Sequence, residues 1–181
     1  NGKVQENWCS FTIKPGDIIE FDYCTSGCRS YFAVSSGFNI KPTLGSVATV
    51  MREKIGGLAG DKLSAGDTLP CTTLVDKKAL HKHQRLSEKL RPQYSDNVTL
   101  RILLGYQQHS FAPYNQQLLL SSEYQVSTLN DRMGYRLKGA KIVSDLRTML
   151  SEGICYGAVQ IPADGQPIIL LNDRQTIGGY P

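Results

Sequence analysis

Residues 160–181 read QIPADGQPIILLNDRQTIGGYP, and the fold is decided by how this stretch is taken. Pro162-Ala163-Asp164-Gly165 is a turn by composition, since proline presets φ and glycine accepts a positive one. Pro167-Ile168-Ile169-Leu170-Leu171 follows, apolar without alternation, as a strand covered on both faces would be. Asn172, Asp173, Arg174, Gln175 and Thr176 come next, and Gly178-Gly179-Tyr180-Pro181 closes the stretch. An acid, a base, two amides and a hydroxyl directly after a rigid strand sit where binding and catalytic groups are commonly mounted. A polar loop with a flexible glycine tail accounts for the same composition equally well.

Outward from there, the chain reads as short strands between Gly and Pro turns. Trp8, Phe11 and Ile13 lead into Lys14-Pro15-Gly16-Asp17; Ile18, Ile19 and Phe21 suit a second strand; residues 29–35 suit a third. Residues 36–60 hold too many glycines for a regular element, so positive φ or a close backbone approach is expected there. Ala65-Gly66-Asp67 repeats the earlier Gly-Asp turn. Residues 76–92 are basic and poor in large apolar groups, as a solvated linker would be. Beyond them Val98 to Leu103 alternates like a half-buried strand. Residues 111–121 suit a short helix with Pro113 in its first turn, and Tyr124-Gln125-Val126 a brief strand. This predicts an all-β protein with short helices. Its modules are residues 1–71 (part of a first module), a polar linker over 72–97, and a second module over 98–181.

Composition narrows the function. The 181 residues carry 20 Lys and Arg against 16 Asp and Glu, a net charge of +4 with no basic block, so nucleic acid is not implied. No run approaches the roughly 20 apolar residues of a membrane span, and no stretch reads as a signal peptide. The five cysteines fit no zinc spacing, and reduced cytoplasmic thiols are expected. His81 and His83 flank Lys82 with no third ligand in view, so no metal site is expected. Cys155 is read as a structural thiol rather than a nucleophile. No phosphate-cradling loop of the GxxxxGKS type and no Ser-His-Asp arrangement is visible.

Three polar clusters abut strand ends in the second module: Asp131-Arg132, Ser151-Glu152 and residues 172–176. If they share a rim they line one pocket. Arg132 suits a carboxylate, gripped by two parallel hydrogen bonds. Asp173 or Glu152 suits a general base. Gln160, Gln166 and Gln175, with Thr176, suit an amide or ureido group, and Gly178 and Gly179 allow close backbone approach. The plainer reading is that Arg132 and Glu152 bridge turns.

Four blocks carry a family likeness: Pro42-Thr43-Leu44-Gly45-Ser46, Asp131 to Leu137, Ser151-Glu152-Gly153 and Asp173 to Pro181. In these the chain resembles the allophanate hydrolase subunit 2 family; the likeness covers nearly the whole chain, with Asp76 to Pro92 the least family-like part. Ser36 stands where many members carry a second glycine. The resemblance implies two cyclophilin-like β-barrels and a subunit 1-type partner. It also implies that an N-terminal region and a C-terminal tail are missing; the start at Asn1 rather than Met agrees. One branch of the family is 5-oxoprolinase, whose three subunits, including an A-type subunit, use ATP to open 5-oxoproline to glutamate. Another is the carboxyltransferase of urea carboxylase, with biotin carried on a partner domain. A third is a non-catalytic bacterial regulator that sequesters a subunit 1-type kinase inhibitor. No biotin-attachment segment of the AMKM type is present, so no covalently bound cofactor is expected on this chain.

Overall fold

The computed structural model describes residues 2–72 and 84–181. The chain divides into two compact units, one ending at Leu100 and the other running Arg101–Pro181. The protein is mostly β with short helices, as the turn-rich sequence predicts.

In the first unit, β1 (Thr49–Val50) and β2 (Ile55–Gly56) form an antiparallel ribbon. The glycines that follow explain themselves here. Gly56 and Gly57 have φ of 74° and 58°, and a Cβ on either would collide with Ala48 O or Thr49 Oγ1. The close approach expected in this stretch is therefore to its own ribbon. The two Gly-Asp turns close identically. Asp17 N donates to Lys14 O while Lys14 N donates to Asp17 Oδ2, and Asp67 and Ser64 repeat both bonds. The described end of the expected linker pairs back: Leu86 N donates to Trp8 O and Ser10 N to Gln84 O.

The strands expected at residues 8–13, 18–21, 29–35 and 98–103 are not formed as ladders among the described residues. Alternation supplies a strand's faces but not its neighbours, and a ladder needs both. Phe21 and Phe32 still meet edge to face, with ring centroids 6.1 Å apart.

The second unit holds the core. β3 (Gln125–Asn130), β4 (Gly134–Lys138), β6 (Val159–Gln160) and β7 (Ile168–Leu170) form an antiparallel sheet in the order β3-β4-β7-β6. β7, the apolar run of the opening stretch, therefore lies between two neighbours. The turn before it forms as expected, with Gly165 N donating to Pro162 O and Gly165 at φ 77°. Among the described residues Ile142, Ile161 and Leu170 are the large apolar side chains buried here, joined by Pro167 and Pro181. β5 (Glu152–Gly153) and β8 (Ile177–Gly178) form a separate two-stranded ribbon. The helix α1 (Pro113–Ser121) starts on its proline, where the missing N–H has no intrahelical partner to lose. Asn115 Oδ1 accepts Val143 N and so ties α1 to the segment after β4.

Candidate functional site

Backbone pairing beyond the ends of β4 and β7 sets the first half of the site. Leu171 N donates to Met133 O and Asp173 N to Arg132 O, so the two strands continue as neighbours past their ladder. That places Arg132 beside Asp173. Arg132 Nε lies 2.9 Å from Asp173 Oδ2, and Nη2 donates to Oδ1 at 3.0 Å. The fork expected for a substrate carboxylate is therefore already closed on Asp173, leaving only the outer N–H groups of the guanidinium. Asp131 Oδ1 accepts Met133 N and Gly134 N, fixing the turn that carries Arg132.

The second half is built on the β5–β8 ribbon. Glu152 pairs in register with Gly178, and its Oε1 accepts Gln107 Nε2 at 2.8 Å. Gln107 lies in a 3-10 helix, Tyr106–Ser110, and sequence reasoning gave no sign of it. Gln160, on β6, is only 5% exposed, and its Oε1 accepts Gln175 Nε2 at 3.5 Å. Thr176 O accepts Ile154 N and Gly179 O accepts Met149 N, so the last residues are held by backbone bonds on both sides. Arg174, the base of the polar cluster, was given no role by sequence; its Nε donates to Ile154 O and its Nη1 to Leu171 O, tying the ribbon to the end of β7.

Gln166 does not join this rim. It precedes β7, whereas Asp173 follows it, and a strand carries its two ends apart. Its amide is spent there: Oε1 accepts Gly139 N and Nε2 donates to Gly139 O. At that same end Tyr124 Oη donates to Ala140 O, and burial pushes its phenol pKa above the ordinary 10.0. Of the two guanidinium groups, that of Arg132 is engaged by the Asp173 carboxylate and that of Arg174 by backbone carbonyls. His81 and His83 lie outside the described residues. Among the described residues no group of His, Cys, Asp and Glu could hold a metal ion, and no helix is long and apolar enough to cross a membrane.

Residues 1–181 match the carboxyltransferase domain, subdomains A and B. The chain belongs to that carboxyltransferase-domain family. Within it, the chain is 38% identical over 171 residues to the C-type subunit of 5-oxoprolinase from Escherichia coli (strain K12), a match covering 93% of the chain and 53% of the relative. It is 28% identical over 186 residues to a putative urea carboxylase of Emericella nidulans, of which it covers 15%. The crystal structure of TTHA0988 superposes with a TM-score of 0.65 at 32% identity, over 82% of this chain and 27% of that one. The chain thus spans about half the length of the 5-oxoprolinase subunit it matches.

Proposed function

We propose that the chain is part of a 5-oxoprolinase-type complex, an ATP-dependent hydrolase that opens a cyclic amide and is inactive as a single subunit. The observation that carries this reading is the 38% identity with the C-type subunit of a 5-oxoprolinase across 93% of the chain. In this account Asp173 or Glu152 takes or supplies the proton, and Asp173 also holds Arg132 in orientation. Gln160, Gln175 and Thr176 orient the amide beside Gly178 and Gly179, and Gln166 is structural. ATP is used elsewhere in the complex, with a subunit 1-type and an A-type partner supplying what this chain does not. The two compact units would be the parts of two barrel-like modules. Five free thiols suit a reducing compartment, and the complex is placed in the cytoplasm.

A second reading has its own support. The family's description and the likeness to a putative urea carboxylase favour a carboxyltransferase acting on urea, with biotin carried by a partner domain. Turnover separates the two. ATP-dependent glutamate release from 5-oxoproline by the assembled complex supports the first, and carboxylation of urea with biotin in its absence supports the second. Capture of a subunit 1-type protein separates neither, nor does it separate them from a non-catalytic sequestering role.

A further inference from the structure

We propose that the first unit carries a binding site of its own, a groove beside Trp8 that takes a free amino acid as its zwitterion, with Arg91 on the carboxylate and Glu88 on the ammonium group. The inference does not depend on the function proposed above.

Three stretches distant in sequence build this groove, whose volume of about 550 Å³ has room for one small molecule. Leu86 N donates to Trp8 O, which brings the stretch leading into the 3-10 turn Glu88–Leu90 against Trp8. Ser26 Oγ donates to Tyr94 O, and a Cβ on Gly27 would lie 3.4 Å from the Tyr94 ring, so the turn at Ser26-Gly27 packs on the stretch that follows Arg91. Trp8 lines the groove and is half exposed, with φ at 63°, a left-handed conformation rare for a bulky side chain. Strain of that kind gathers where a side chain is held for a purpose other than stability.

The charges decide the ligand. Arg91 Nε donates to Leu86 O, which orients the guanidinium. Its two outer nitrogens are unspent. Nη2 is enclosed without a hydrogen-bond partner, the one side-chain atom in that condition among the described residues. Nη1 has no partner either but is not enclosed, so it is the end of the fork that a ligand reaches first. A carboxylate meeting Nη1 brings its second oxygen toward Nη2, because the two N–H groups of that edge point in parallel. Glu88 is the other charged residue of the groove. Residues three apart eclipse in a 3-10 turn, so Glu88 and Arg91 leave it on one face. Yet the two form no ion pair, and the Glu88 carboxylate has no other partner among the described residues. An acid and a base on one wall, each unpaired, match the two ends of a zwitterion. Glu88 would repel a phosphate and Arg91 a plain amine, so the groove selects against both.

The test uses Trp8 itself, the sole tryptophan of the 181-residue chain, whose emission therefore reads this groove. L-Proline, a zwitterion with a ring to lie against the indole, should change that emission saturably. Acetate and pyrrolidine carry its two charges separately, and each should bind at least roughly tenfold more weakly, the worth of one charge-assisted hydrogen bond. Glu88→Gln alters an exposed side chain and should weaken proline by a similar factor while leaving acetate affinity as it was. Arg91→Met should lose both probes. If the Met variant does not fold, wild type and Glu88→Gln decide. No saturable response to proline overturns the proposal, and so does acetate binding as tightly as proline, which would make this a plain anion site. A folded Arg91→Met or Glu88→Gln variant that binds proline as well as wild type overturns it too.

Discussion

Arg132 and Asp173 stand 41 residues apart in sequence and share two close contacts. The Arg132 side chain is half exposed and that of Asp173 mostly covered, and an ion pair open to solvent on one side contributes little to stability, commonly under about 1 kcal/mol. Asp173→Asn should therefore leave the thermal midpoint of the chain nearly unchanged while abolishing turnover in the assembled complex. Retained turnover with lost partner binding would make Asp173 an interface residue instead. Gly178→Ala should be costly in a different way. Its added methyl meets Ile154 and Gln160 in a tight gap, and overpacking of that kind costs roughly 1–3 kcal/mol in a denaturant titration. Tyr124 sets a pH signature. Burial raises its folded pKa above 10.0, so the neutral phenol is favoured in the folded state. Its stabilising contribution is complete below the unfolded value and is lost as pH rises through the folded one. Tyr124→Phe should cost about 1 kcal/mol near neutral pH through the lost bond to Ala140 O, and the gap to wild type should close in strongly alkaline solution.

At the scale of elements, β7 is the strand on which the second unit depends. It pairs with β4 on one side and β6 on the other, and Leu170 is 3% exposed. Leu170→Ala should cost about 2–5 kcal/mol, read from the denaturation midpoint at unchanged slope. The unalternating apolar run made this strand legible in sequence, and Pro113 made α1 legible. Gln166 was misplaced for a physical reason: both ends of a strand are polar in sequence, and only the pairing of β7 with β4 shows which end meets Arg132 and which meets Gly139. Gln107 was invisible because its partner Glu152 lies 45 residues away and nothing local marks the contact. Likewise residues 18–21 and 29–35 carried strand-favouring side chains but formed no ladder, because pairing depends on neighbours that local sequence does not specify.

For the whole molecule, surface area is the informative quantity. The chain exposes 15430 Å². Surface scaling gives roughly 8,700 Å² for one compact chain of 20.0 kDa, and roughly 10,500 Å² for two separate bodies of half that mass. Large apolar side chains stand exposed in the first unit, among them Ile18, Phe21, Tyr23 and Tyr31. Backbone amides of residues 18–23 and 30–34 should accordingly exchange with solvent far faster than those of β4, β6 and β7, a contrast that hydrogen exchange reads directly. The central claim is that this chain serves a cyclic-amide hydrolase through the Arg132–Asp173 and Gln160 region, and one assay meets it head on. Glutamate released from 5-oxoproline should be followed in the complex assembled with its partner subunits, with and without ATP, for wild type and Asp173→Asn. The account predicts ATP-dependent release by the wild type and none by the variant; a wild-type complex that releases no glutamate yet carboxylates urea would contradict it.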